Sequence, residues 1–201
     1  QNISLGQSAM YSNVSGGDNI VMGTRAMFSS ISGSLNVALG FDALNHNTTG
    51  NSNIGIGEFN LFDNTTGSYN VSLGSNSMLN NTTGNKNTVV GAIAGRNIST
   101  GSFNTLLGDS ADVNGTLTNA SAIGSKARVG INNAVSIGDS TRNTTVGIGT
   151  AYPTKAGLVV NQTVGGYVHA MFGSNTTGVA IESNYPGIGF NCYYNGARKF
   201  I

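Results

Sequence analysis

The chain has 201 residues, of which 30 are glycine and only 8% are charged. Its net charge of +1 lacks the clustered Lys and Arg that nucleic-acid or anionic-membrane binding requires. No apolar run approaches the ~20 residues of a membrane-spanning helix, and the single cysteine, Cys192, excludes an intrachain disulfide. A glycine-rich chain is ordered when the glycines are periodic, as in solenoids and fibrous proteins. The question is therefore whether this sequence has a period.

A glycine recurs with a 17-residue period in the first half of the chain, and an asparagine stands four positions before each one. The glycines are Gly6, Gly23, Gly40, Gly57, Gly74, Gly91 and Gly108, and the asparagines are Asn2, Asn19, Asn36, Asn53, Asn70, Asn87 and Asn104. The three residues between them read apolar, variable, apolar, which predicts a short β-strand. The closing glycine predicts a backbone conformation that residues with a Cβ resist.

The rest of each unit predicts a second strand and a turn. A second apolar pair follows in most units, for example Met27–Phe28 and Leu61–Phe62, and we interpret it as a second strand. Polar phrases such as HNTTG, residues 46–50, then supply turn chemistry. A 17-residue unit cannot bury a core alone, whereas stacked units can. The sequence therefore predicts an all-β parallel solenoid, with a ladder of stacked Asn amides along it.

The period shortens after Gly108. The next glycines of the series are Gly124, at an interval of 16, and Gly138, at an interval of 14, while Asn119 and Asn133 are 14 apart. We interpret these units as turns of the same coil with fewer turn residues. The predicted divisions are 17-residue repeats over 1–117, shorter 14-residue-type repeats over 118–145, a neck or connector over 146–160, and a C-terminal β domain over 161–201.

Three phrases and the 17-residue unit carry a resemblance to known families. NASAIGSKARVG, residues 119–130, and NAVSIGDSTRN, residues 133–143, resemble the 14-residue repeats of YadA-like heads of trimeric autotransporter adhesins. The 17-residue unit and VGIGTAYPTKAGLVV, residues 146–160, are similar to bacterial and phage tail-fibre-type proteins, apart from an inserted Gly157. The resemblance implies a left-handed parallel β-roll assembled as a homotrimer, followed by a neck and a small intertwined β-rich C-terminal region.

A trimer is also expected from the strand pattern. If the outer residues of each apolar triplet face the core, the middle residues face outwards, and many of them are apolar. Such a stripe along a narrow rod favours association, and closed symmetry stops it at a fixed number of chains. We therefore predict that the trimer interface contains Val21, Ala38, Ser72, Val89 and Leu106.

The region after residue 161 holds many of the aromatic residues. Tyr185, Tyr193 and Tyr194 are candidate receptor contacts, because rigid aromatic faces suit recognition. The alternative is that these aromatics fill a core shared by three chains.

No catalytic, cofactor or metal site is predicted. Glu58 and Asp109 share a column but lie three turns apart, ~14 Å by strand spacing, too far for glycosidase geometry. Asp42 and Glu58 lie on adjacent turns, offset by one column. His46 and His169 are isolated in the sequence. The Asn-Thr-Thr phrases at Asn47, Asn64, Asn81, Asn143 and Asn175 match a glycosylation sequon, but their place in the turn explains them structurally.

The sequence thus predicts a non-enzymatic trimeric fibre of the tail-fibre type, which attaches to a receptor or glycan on a target cell. The expected partners are copies of itself and that receptor, without nucleic acid or membrane insertion. The expected location is extracellular, on a virion, an injection machine or a bacterial surface. A cell-surface adhesin head of the autotransporter type and a structural filament subunit remain alternatives.

Overall fold

The computed structural model describes residues 1–141 and four further strands, at 146–148, 158–160, 192–194 and 197–199. Nine strands form one parallel sheet: β1 Asn2–Leu5, β2 Asn19–Met22, β3 Val37–Leu39, β4 Ile54–Ile56, β5 Val71–Leu73, β6 Thr88–Val90, β7 Thr105–Leu107, β9 Ser121–Ile123 and β11 Val135–Ile137. A second, two-stranded parallel sheet pairs β8 Asp112–Val113 with β10 Arg128–Val129. The last pairs are β12 Val146–Ile148 with β13 Leu158–Val160, parallel, and β14 Cys192–Tyr194 with β15 Ala197–Lys199, antiparallel.

Strand pairing follows the sequence period. Ile20 lies opposite Val37, and Val37 opposite Ile54, so each strand pairs with its copy in the next 17-residue unit. The shorter units continue the same sheet, with Thr105 opposite Ser121 and Ser121 opposite Val135. The predicted parallel β-solenoid is confirmed, as is the continuity of the two repeat lengths. Nine strands at ~4.8 Å spacing give a sheet about 38 Å long.

The closing glycines are required by both conformation and space. Gly57 has a φ of +133°, in the region that residues with side chains rarely adopt. A Cβ on Gly57 would lie 2.5 Å from the carbonyl oxygen of Gly74, the equivalent glycine of the next turn. The same geometry recurs along the column, which confirms the predicted role of these glycines.

The predicted Asn ladder is present and buried. Asn53 Oδ1 accepts hydrogen bonds from the backbone N–H of Asn70 (3.0 Å) and from Asn70 Nδ2 (3.1 Å). Asn53 Nδ2 donates to the carbonyl of Gly67 at 2.8 Å. The column Asn19, Asn36, Asn53, Asn70, Asn87 and Asn104 repeats the bond from side-chain oxygen to the next backbone N–H. It ends where Ala120 replaces asparagine, and the N–H of Ala120 donates to Asn104 Oδ1 (2.9 Å).

A second Asn ladder lies in the turns, which the sequence pattern did not predict. Asn64 Nδ2 donates to Asn47 Oδ1 (2.8 Å), and Asn81 Nδ2 donates to Asn64 Oδ1 (2.7 Å). The column also contains Ser30 and Asn13 at its start. Within residues 1–141, Ser30 Oγ and Asn13 Oδ1 are buried without a hydrogen-bond partner. Ser30 therefore interrupts this ladder.

Replacing Ser30 by asparagine is expected to stabilise the fold by about 1–2 kcal/mol. By analogy with Asn64, the new amide would donate to Asn13 Oδ1 and accept from Asn47 Nδ2. Urea unfolding of Ser30→Asn and Ser30→Ala checks this, since the alanine removes the unpaired hydroxyl without adding a partner. A Ser30→Asn chain no more stable than Ser30→Ala would contradict the pairing.

The predicted second strand is wrong for the 17-residue units. The segment that contains Met27 and Leu61 forms turns, and both residues have left-handed φ values, 48° and 51°. Their N–H groups donate to carbonyls of the following turn, Ala43 and Ser77. These bonds and full burial hold the left-handed conformation. Within residues 1–141, a second strand occurs only in the last turns, as β8 and β10.

The core lies inside a single coil and is narrow. In the turn of β5 the middle residue of the strand faces a small residue five positions later, since Ser72 Oγ bonds to Ser77 Oγ (2.8 Å). A Cβ on Gly55 would lie 3.1 Å from Asn60 Oδ1 and 3.3 Å from Leu44 Cδ1, so glycine there makes room for both side chains. The predicted neck and C-terminal β domain lie outside the described residues, apart from β12 to β15.

Candidate interaction surfaces

The middle residues of the strands face the core of their own coil, contrary to prediction. Val21, Ala38, Ser72, Val89 and Leu106 are all fully buried within one chain. The physical reason is strand alternation, because each stands two positions after a buried Asn of the ladder and shares its face. These five residues cannot contact a second chain unless the coil opens. The predicted orientation is therefore wrong.

The outer residues of the triplets instead form an exposed apolar surface, here called the aliphatic face. It consists of two columns, one three positions and one directly before each closing glycine. The first is Ile3, Ile20, Val37, Ile54, Val71, Thr88, Thr105, Ser121 and Val135, and the second is Leu5, Met22, Leu39, Ile56, Leu73, Val90, Leu107, Ile123 and Ile137; all are half-buried or exposed.

The aliphatic face is continuous along the sheet. With three residues per strand it measures about 38 Å by about 10 Å. The second column is apolar in all nine strands, and the first becomes polar only at Thr88, Thr105 and Ser121. An apolar stripe that runs the whole length of the sheet makes the aliphatic face a candidate association surface.

Charged side chains on the turns pair with residues of the neighbouring turn. Arg25 Nε donates to Asp42 Oδ1 (2.8 Å), and its guanidinium lies 5.6 Å from the centre of the Phe41 ring. Asp42 is fully buried and also accepts from Asn45 Nδ2 (2.6 Å), whereas Glu58 is exposed. The hydrogen bond and charge of Asp42 raise the pKa of Arg25. The two carboxylates on adjacent turns thus have different environments.

His46 makes a similar contact with a carboxylate of the next turn. Its Nδ1 lies 3.0 Å from Asp63 Oδ1, and its ring packs on Phe62 with centroids 4.5 Å apart. Sequence reasoning missed this pair and the pair of Arg25 with Asp42. In both pairs the partners are one repeat period apart, so the period itself was the signal that could have found them.

Asp112 is the buried carboxylate of the shorter turns. Burial raises its pKa, although the N–H of Val113, Asn97 and the charge of Arg128 favour the ionised form. Asn97 Nδ2 donates to Asp112 Oδ2 at 2.7 Å, and Arg128 lies 3.7 Å from the same oxygen. This arrangement ties β8 to the preceding turn and to β10, which is a structural role.

The sequon asparagines are structural where the structure describes them. Asn47, Asn64 and Asn81 are fully buried in the second ladder, which confirms the structural interpretation of those three phrases. Asn143 and Asn175 lie outside the described residues, as do His169 and the candidate receptor contact Tyr185. Tyr193 and Tyr194 lie in strand β14.

In the described part of the chain, His, Cys, Asp and Glu do not gather in groups of three or more that could hold a metal ion. The same residues contain no helix with the length and hydropathy needed to cross a membrane. Compared with known proteins, the chain matches no family model and has no significant match among curated proteins.

Proposed function

We propose that this chain assembles as a homotrimer through its aliphatic face and acts as a non-enzymatic attachment fibre of the tail-fibre type. The single observation that carries the proposal is the aliphatic face itself, exposed along nine parallel strands. A closed ring of three chains would bury this face of every protomer. The resemblance of residues 119–130 and 133–143 to YadA-like repeats supports the same assembly and a left-handed coil.

The regular stacking of the turns supports an extended fibre. Continuous backbone and amide ladders give rigidity along the coil, and three chains present each surface feature three times. Repeated weak contacts of this kind can bind a cell surface far more tightly than one contact alone. The partner on this proposal is a receptor or glycan of a target cell, reached from a virion, an injection machine or a bacterial surface.

Replacing Ile56 and Leu73 together by glutamate is expected to convert a three-chain particle into monomers. The two side chains lie opposite each other in adjacent strands of the aliphatic face. In a trimer the change buries six like charges, at a cost of several kcal/mol. Light scattering coupled to size exclusion measures the mass. Thr66→Glu, on an exposed turn, is the matched control and should keep the wild-type mass.

A wild-type mass equal to one chain would refute the trimer, and a double variant that stays trimeric would refute this interface. Attachment is tested by saturable binding of labelled protein to bacterial cells of several species. The trimer should bind at least tenfold better than the Ile56→Glu/Leu73→Glu monomer, because avidity is lost. Equal binding by both would contradict attachment by a multivalent fibre.

Two other assignments are separated by the same experiments. The 14-residue spacing of β9 and β11 favours an adhesin head of the autotransporter type, which the genomic neighbourhood and the complete reading frame would distinguish from a tail fibre. A filament subunit would show a mass that rises with concentration rather than stopping at three chains.

A further inference from the structure

One exposed column has a backbone conformation that does not suit its residues. The position five before each closing glycine has a left-handed φ of 55–60° in every turn from Asp18 to Asn133. The N–H of this residue donates to a carbonyl of the preceding turn, as Tyr69 does to Asn51 (2.9 Å) and Phe103 to Asn85 (3.0 Å). The solenoid therefore imposes the conformation on whatever residue stands there.

The residues at this position differ in how well they tolerate it. Asp and Asn visit the left-handed region readily, and Asp18, Asn119 and Asn133 follow that preference. Leu35, Tyr69 and Phe103 do not, because bulky side chains are unfavourable there. We call these last three residues the knob row.

Burial does not offset this cost for the knob row as it does for left-handed residues of the core. Met27 and Leu44 are also left-handed, but they are fully buried in the core. Leu35, Tyr69 and Phe103 are 59%, 61% and 53% exposed. Strained backbone that carries exposed apolar side chains is a feature of binding sites rather than of stability.

The knob row repeats every second turn. Ser52 and Lys86 stand between its members, and the preceding position alternates Ser34, Asn51, Ser68, Asn85 and Ser102. Each of these Ser and Asn side chains accepts a hydrogen bond from the backbone of the turn before it, so the alternation is built into the coil. Knobs two strand spacings apart lie about 9.6 Å from each other. A straight row with this repeat fits an extended, repetitive partner.

The chemistry around the knob row is polar and almost uncharged. Exposed Thr49, Thr66 and Thr83 stand three positions before the row positions in their turns. Between Leu35 and Phe103, Lys86 is the one charged residue at these left-handed positions. Its ammonium lies 5.1 Å from the centre of the Phe103 ring. Hydroxyl and amide groups beside apolar faces match a sugar chain, whose C–H faces stack on such side chains while its hydroxyls make hydrogen bonds.

A second copy of the chain fits the knob row less well. Contact with another protein chain along the row would bury Lys86 and Ser52 at alternate turns, and removing the Lys86 ammonium from water is costly. The aliphatic face has no comparable interruption in its second column. The knob row is therefore interrupted by polar residues, whereas the second column of the aliphatic face is apolar throughout.

We propose that the knob row of Leu35, Tyr69 and Phe103 is a binding site for a neutral, linear glycan that runs along the solenoid. The inference rests on the proposed attachment function and names its ligand class and its place. The alternate turns supply the contacts, and Lys86 positions the ring of Phe103.

The test compares the wild type with Leu35→Asn/Tyr69→Asn/Phe103→Asn in the full chain. Binding to immobilised cellohexaose, chitohexaose and maltohexaose is measured, together with the melting temperature and the mass. The triple variant should weaken binding to the recognised oligosaccharide at least tenfold, with an unchanged or higher melting temperature because asparagine suits the left-handed position. Ile93→Asn is the matched control, since Ile93 is also exposed and left-handed (φ 59°) but lies in another column.

Wild-type protein that binds none of the three oligosaccharides would overturn the glycan site, as would binding that the triple variant retains. A triple variant of changed mass would instead make the row a contact between chains. If the triple variant does not fold, Tyr69→Asn alone must show at least a threefold loss. A wild-type trimer that attaches to cells yet binds no oligosaccharide refutes this site and leaves the proposed function standing.

Discussion

Replacing Gly57 by alanine is expected to lower the free energy of unfolding by about 3 kcal/mol or more. The new Cβ would lie 2.5 Å from the carbonyl oxygen and 2.6 Å from the carbonyl carbon of Gly74, at a φ of +133°. Neither partner is a flexible side-chain end, so the two turns must separate. Because every later turn stacks on this one, the distortion cannot relax at a loop.

The matched control for this change is Gly130→Ala. A Cβ on Gly130 would meet no atom within 4 Å, and the change should stay within about 0.5 kcal/mol. Urea unfolding at equal protein concentration compares the two. If the midpoints of Gly57→Ala and Gly130→Ala shifted equally, the close approach of neighbouring turns would be contradicted.

Replacing Asn53 by alanine is expected to cost about 3–5 kcal/mol, from three lost hydrogen bonds and the groups they leave unpaired. The buried N–H of Asn70 and the carbonyl of Gly67 lose their partner in Asn53. Asn53→Asp keeps the shape and the acceptor but removes the donor and buries a charge, so it should be no more stable than the alanine variant.

Thermal and urea unfolding of both variants check this prediction, with Asn114→Ala, at an exposed asparagine, as the control. The control should change stability by less than about 0.5 kcal/mol. An Asn53→Ala chain as stable as the control would mean that the amide ladder contributes nothing to folding.

The glycine and asparagine columns could be predicted because each has one physical solution. Glycine at the same place in every repeat unit requires a position that admits no Cβ, and Gly57 against Gly74 is that position. Asparagine combines donor and acceptor in one short side chain, so a column of it in stacked turns satisfies backbone groups that would otherwise be buried unpaired. The residue types and the period together therefore predict both columns.

Hydrophobicity alone could not predict which side chains of each strand point into the core, because a shift of one residue exchanges the two faces. Val89 is buried and Val90 is exposed, yet both are valines. The deciding signal was the spacing from the asparagine. Asn87 and Val89 are two positions apart and must share a face in an extended strand. The amide ladder therefore predicts a buried middle residue, which the apolar pattern alone did not.

The turns were the least predictable part. Met27 and Leu61 have left-handed φ values that their residue types disfavour, and each is followed by a Phe, whose β propensity favours a strand. Hydrogen bonds to the next turn decide otherwise, and these exist only once the coil has formed. The pair of Arg25 with Asp42 likewise depends on stacking, which places equivalent regions of successive units side by side.

The orientation of the strand side chains also changes which residues could form an interface between chains. The five predicted interface residues form the core of one coil, and their neighbours in the triplets form the aliphatic face. The trimer proposal therefore rests on Ile56, Leu73 and their columns.

Distances between spin labels test the stacking of successive repeat units most directly. In a Cys192→Ser background, one label is attached to a cysteine that replaces Gln7 and the other to a cysteine that replaces Ala92, Asp109 or Ser125. All four positions are exposed and lie in one column. Excess unlabelled chain suppresses distances between chains. The solenoid predicts backbone separations of about 24, 29 and 34 Å, rising by ~4.8 Å for each added turn. Separations that do not lengthen by this constant step would contradict the stacked coil, and with it the ladders, the aliphatic face and the knob row.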